Sequence, residues 1–176
     1  MTLHELLVLH ASPTLANLKP ASLVCLKTLD GQSEDLCELE KRGLSFLWMT
    51  SMTGCPLLLV YRRDALARTL ATPKARSILA AAGCMGSLDD MLDHLCRRFA
   101  SCRCPHEIGL FLGYPEDDVD LFIRNNGKKA VCCLFWKVYC DVEGALKLAR
   151  KWDKCRKCYI ECFRNGFSIT RLCVSA

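Results

Sequence analysis

Cys55-Pro-Leu-Leu-Leu-Val-Tyr61 is an apolar run without a charge, and its length is that of a strand buried on both faces. The apolar runs of the chain are too short to span a bilayer, for which a helix needs about 20 residues. This run must therefore be covered by the rest of the protein. The short link Ser51-Met-Thr-Gly54 lets Ser45–Thr50 fold back on it as a hairpin. Ser22–Leu26 and Val131–Tyr139, rich in branched and aromatic residues, are two further strand candidates.

Helices are punctuated between them. Ser87 is placed to cap a helix whose apolar positions Leu88, Met91, Leu92, Leu95 and Phe99 repeat with helical spacing, with Asp90 set for a capping box. Thr72-Pro73 opens another that closes at Gly83. Pro115 precedes the acids Glu116, Asp117 and Asp118, which suit a first turn; Val119, Phe122 and Ile123 form the buried stripe, and Asn125-Asn-Gly127 stops it. A longer helix runs from about Val142 to Asn165-Gly166. The expected fold is α/β of the mixed α+β kind, a small mixed sheet of about four strands flanked by helices. The chain has 176 residues, 51% of them hydrophobic, with no internal repeat or Gly/Ser linker. That supports a single domain over residues 1–176.

The N-terminus has no basic flank and no sustained apolar core before a small-residue cleavage site, so a cytoplasmic location without membrane insertion is expected. On that footing the 14 cysteines read as reduced thiols rather than a disulfide framework. Such a load suits an anaerobic cell, and Cys25, Cys37, Cys84 and Cys173, alone among apolar neighbours, read as core filling. The net charge is +5, and Lys147, Arg150, Lys151, Lys154, Arg156 and Lys157 share the long helix. A basic face over residues 147–157 could meet nucleic acid or an acidic partner, although a solvated helix surface is the commoner meaning.

Chemistry-bearing residues concentrate between Cys104 and Tyr139. His106-Glu107 lacks the second His that a zincin needs four residues after the first, since position 110 is Leu110. A looser set, His94, Cys96, Cys102, Cys104 and His106, offers ligands that suit zinc or iron, against the alternative of a helix end with buried thiols. Cys104-Pro105 beside His106 is a weak haem signal. Cys155, Cys158 and Cys162 fall along one helical face, where basic neighbours would lower exposed thiol pKa values. His106–Leu112, the turn at Gly113 and the helix to Arg124 outline a helix-turn-helix, but its recognition helix would push four acids towards phosphates, so DNA is disfavoured. There is no Gly-x-Ser-x-Gly elbow and no phosphate-binding Gly-rich loop. His106 or Glu107 could serve a small enzyme as general base, with Tyr114, Lys137 and Tyr139 as donors.

His106-Glu-Ile-Gly-Leu-Phe-Leu-Gly-Tyr-Pro115, Asp118-Val119, Phe122-Ile123, Trp136-Lys-Val-Tyr139 and the early Pro13–Leu23 stretch resemble an uncharacterised bacterial family, domain of unknown function 3793, found mainly in anaerobic Firmicutes. The resemblance covers nearly the whole chain and carries no activity, cofactor or catalytic residue with it. It implies that Lys19, Ser22, His106, Glu107, Gly109, Gly113, Tyr114, Trp136, Lys137 and Tyr139 are family-typical, and that an accessory role in iron or redox physiology is to be expected, beside a flavodoxin-type or iron-transport partner. The family often has Gly after Ala16, where this chain has Asn17, and a Cys before Pro13, where it has Ser12. The leading expectation is a binding or accessory protein whose pocket combines Lys19 and Ser22, the segment from His106 and Glu107 to Tyr114, and the strand of Trp136, Lys137 and Tyr139.

Overall fold

The computed structural model describes residues 1–27, 36–102 and 104–175. Three strands, β1 (Ala21–Cys25), β2 (Ser45–Thr50) and β3 (Pro56–Tyr61), form an antiparallel sheet in the order β1-β3-β2. The expected hairpin is present, with Leu47 opposite Leu59 and Trp48 opposite Leu58. The apolar run lies in the middle, and its alternate residues serve two cores. Leu57, Leu59 and Tyr61 face one side with Leu66, Leu79, Leu95 and Phe111, while Leu58 and Val60 face the other with Leu6, Leu7, Leu15 and Ile169.

Four helices cover the first face. These are α3 (Arg63–Leu70), α4 (Pro73–Ala81), α5 (Leu88–Ser101) and the single turn α6 (Ile108–Phe111). The capping signals hold as read. Ser87 and Asp90 form the reciprocal box at the start of α5, and the Thr72 hydroxyl accepts from the Ala75 N–H at the start of α4. The short helix α2 (Cys37–Glu40) precedes β2, and α7 (Glu116–Arg124) follows the turn at Gly113.

The second face is covered by α1 (Leu3–Leu15), α8 (Val142–Arg164) and α9 (Ile169–Leu172). No helix among the described residues is long and apolar enough to cross a membrane. The α1 helix ends in a Schellman motif. The Leu18 N–H reaches the Pro13 carbonyl, the Asn17 N–H reaches that of Thr14, and Asn17 takes φ +56°. A left-handed C-cap suits Asn17, since Asn is one of the few non-glycine residues that adopts this conformation readily.

The buried Arg62 side chain then adds donors to the last carbonyls of α1. Its Nε donates to Thr14 at 2.9 Å, and one terminal nitrogen donates to Leu15 at 2.8 Å and to Val174 at 2.6 Å. The other reaches the Arg42 carbonyl at 3.2 Å. The negative end of the α1 dipole offsets part of the cost of burying this charge.

The α+β class is as expected, and the sheet differs in detail. It is wholly antiparallel, and Val131–Tyr139 is not a fourth strand of it. This segment folds on itself as a separate hairpin of β4 (Cys132–Cys133) and β5 (Lys137–Val138), reversing through Leu134, Phe135 and Trp136. Its inward residues, Trp136 and Val138, pack with Ala145, Ala149 and Trp152 of α8 into a third, smaller core. Of the four cysteines read as core filling, Cys84 and Cys173 are buried, whereas Cys25 and Cys37 are exposed: Cys25 closes β1 on the residue after the inward Val24.

Candidate functional site

Between α6, α7 and the β4–β5 hairpin lies a cavity of about 360 Å³. Ile108, Val119, Phe122, Tyr114 and Trp136 make its walls, and Cys104, His106, Cys133 and Lys137 also line it. Gly109 is part of its lining because α6 lies close to α7: a Cβ there would stand 2.8 Å from Val119 Cγ2 and 3.4 Å from Tyr114 Cδ2. The His106 ring meets Phe122 edge-on at 5.0 Å. The Lys137 ammonium donates to the Gly127 carbonyl at 2.6 Å and lies 5.9 Å from the Phe122 ring centre.

The hairpin is fastened to α7 by a residue that the sequence marks as a first-turn acid, Asp118, without showing its partners. Asp118 is buried; one carboxylate oxygen accepts from the Trp136 indole at 2.7 Å, and the other accepts from the backbone N–H groups of Tyr139 at 2.7 Å and Cys140 at 3.3 Å. Its place at the third position of α7 could be read from the sequence, but its partners, some twenty residues on, could not. Trp136 in turn stacks on Tyr114, with centroids 5.1 Å apart, and meets Trp152 edge-on at 5.6 Å.

A second cavity, of about 200 Å³, lies beyond Tyr114 and Phe135, which line both. Lys19 and Ser22 belong to this one, with His10, Pro13, Leu112, Trp152 and Arg156. Ser22 is buried, and its hydroxyl is 2.8 Å from that of Thr14. Lys19 follows the α1 cap and is held by the approach of Pro20 to Gly113, where φ is +69° and a Cβ would lie 2.6 Å from the proline ring. Its ammonium sits over the rings of Trp152 and Tyr114, at 5.0 and 5.2 Å, and burial lowers its pKa to about 8.

The expected single pocket is therefore two neighbouring ones, and two of the expected residues face neither. Glu107 is buried on the side of the larger core and accepts from Arg98 Nε at 2.9 Å. It does not share a cavity with His106, because adjacent residues in a helical turn point about 100° apart. The Tyr139 hydroxyl is buried without a hydrogen-bond partner among the described residues, and burial, with Asp118 nearby, raises its pKa.

The expected metal set is not gathered. Among the described residues no group of three His, Cys, Asp or Glu side chains could hold a metal ion. His94 and Cys96 are two residues apart on α5 and so diverge by about 200°. The His94 Nε2 is buried without a partner, Cys96 packs against the larger core, Cys102 caps α5, and Cys104 and His106 alone reach the 360 Å³ cavity.

On α8 the basic face is partly neutralised by the helix itself. Lys147 pairs with Glu143 at 2.7 Å, and Arg156 and Lys157 both pair with Asp153, each at 2.7 Å. Two of the α8 thiols move opposite to the lowering expected from their basic neighbours. Burial, with Cys158 alongside, pushes Cys155 up to about 11 and also raises Cys162.

Fold and site together define an α+β protein with an aromatic-walled cavity of small-molecule size. The chain belongs to the family described as Protein of unknown function (DUF3793), whose model matches residues 7–173. No curated protein and no solved structure matches it.

Proposed function

We propose that this is a small-molecule-binding accessory protein, and that its ligand is a flat, largely apolar or heteroaromatic group that enters the cavity between α6, α7 and the β4–β5 hairpin. One observation carries the reading: aromatic and branched side chains converge on about 360 Å³, with His106 at its wall. Specificity in such sites comes from a few polar groups on apolar walls. The Asp118 anchor keeps Trp136 in place before any ligand arrives, which lowers the ordering cost of binding.

The iron or redox setting implied by the resemblance is part of the same proposal. Two thiols on the cavity wall, Cys104 and Cys133, support a redox-active ligand. Metal content and an absorption spectrum of anaerobically purified protein would test that part directly.

A screen of heteroaromatic fragments by ligand-observed NMR tests the pocket. Saturable hits that disappear in Ile108→Trp, which fills the cavity, and weaken in His106→Ala and Trp136→Ala are expected. Hits that bind all three variants like the wild type would remove the site assignment.

A further inference from the structure

The second cavity has a different chemistry from the first. It is walled by α1, β1, α8 and the tip of the β4–β5 hairpin, and its polar lining consists of Lys19, Arg156, His10 and Ser22, with no carboxylate among its lining residues. Lys19 has ring faces beneath its ammonium but no ion pair or hydrogen bond among the described residues. Ring faces offset charge and leave three N–H donors without an acceptor. Arg156 donates through one terminal nitrogen to Asp153 at 2.7 Å, while its Nε is buried with no hydrogen-bond partner among the described residues. Buried donors are satisfied in most folded proteins, so a cluster of unspent cationic donors around one cavity asks for an acceptor that carries negative charge.

We propose that this cavity is a binding site for a small oxyanion, phosphate or a phosphoryl or carboxylate group, held between the Lys19 ammonium and the Arg156 guanidinium. Volume allows a small group, since the space is about 200 Å³. Placement supports it too. Trp152 and Tyr114 place ring faces against the Lys19 ammonium and keep water from that side of it, which strengthens a charge-assisted hydrogen bond. Arg156 is also packed over Phe135, 5.8 Å from its ring centre, so its guanidinium is oriented before the anion binds. The site is separate from the cavity of the proposed function and does not depend on that reading, with Tyr114 and Phe135 forming the wall between them.

The test is titration of the full chain with inorganic phosphate, and separately with acetate, at constant ionic strength. The readouts are indole fluorescence, for Trp152 under the Lys19 ammonium, and acetylation of Lys19 by acetic anhydride, followed by peptide mass. Saturable binding of either anion, with Lys19 protected from acetylation, is expected. Lys19→Met and Arg156→Met should each weaken it at least tenfold, with unchanged far-ultraviolet circular dichroism, while Ile108→Trp in the other cavity leaves it intact. Should Lys19→Met fail to fold, the protection of Lys19 in the wild-type chain decides the matter alone. Binding that never saturates, or that Arg156→Met and sodium chloride leave equal to wild type, overturns the proposal.

Discussion

The Trp136 indole N–H and the Asp118 carboxylate, 2.7 Å apart, join the β4–β5 hairpin to α7 and so set one wall of the larger cavity. Because the other carboxylate oxygen holds the Tyr139 and Cys140 N–H groups, removing it strands three donors at once. Asp118→Ala should cost about 2–4 kcal/mol in urea unfolding and shift indole emission to the red as the hairpin loosens, whereas Asp118→Asn, which keeps an acceptor, costs less.

Glu107 and Arg98 offer a direct separation of structural from chemical roles. The Glu107 carboxylate is buried and turned away from His106. Glu107→Gln should lower stability by about 1–3 kcal/mol and leave fragment binding in the larger cavity unchanged. A loss of binding without a loss of stability would instead place Glu107 in the site.

Gly113 is the point where the segment after α6 meets the loop that presents Lys19. A side chain there would need a left-handed backbone and would drive into the Pro20 ring. Gly113→Ala is expected to lower stability by about 2–3 kcal/mol and to weaken phosphate binding through displacement of Lys19.

Lys19 gives stability a pH dependence of definite sign. Burial lowers its pKa from 10.5 to about 8, so between those values the unfolded chain binds the proton that the folded chain releases. Stability attributable to this group therefore rises as pH climbs through that window. The wild type should gain about 1–3 kcal/mol relative to Lys19→Met in phosphate-free buffer, the ring faces reducing the full value. Parallel urea curves across the window provide the check.

Cys25 and Cys55 stand 3.2 Å apart, sulfur to sulfur, across the edge of the sheet. The Lys27 backbone N–H, followed by the Cys55 thiol, lowers the pKa of Cys25, making it the attacking partner. With glutathione disulfide the pair should lose two hydrogens, form one intramolecular S–S bond and release two glutathione thiols. Peptide mapping should find that bond before any at the buried Cys84 or Cys173.

What could be read in advance were the features with local causes. Ser87 with Asp90, Thr72 with Pro73, and the Pro115 to Gly127 segment carry their helix signals within a few residues, and the link after Thr50 sets its own hairpin. The α1 helix escaped because its apolar residues lie all around it and Pro13 falls inside its last turn, so no amphipathic stripe shows. Val131–Tyr139 looked like one strand because its reversal has no Gly or Asn to announce it. Lys19, His106 and Trp136 stood out in the sequence as candidates, but their division between two cavities depends on Tyr114 and Phe135, which come to line both only in the folded chain. Asp118 and Arg62 owe their roles to backbone partners far away in sequence.

Arg62 has a consequence for the order of events during synthesis. Its partner Val174 lies 112 residues further along, so a nascent chain carries a committed guanidinium long before the last acceptor emerges. Among the described residues, the acceptors of Arg62 earlier in the chain are the carbonyls of Thr14, Leu15 and Arg42. The segment that carries Cys173 and Val174 thus supplies acceptors that a chain made only as far as α8 lacks.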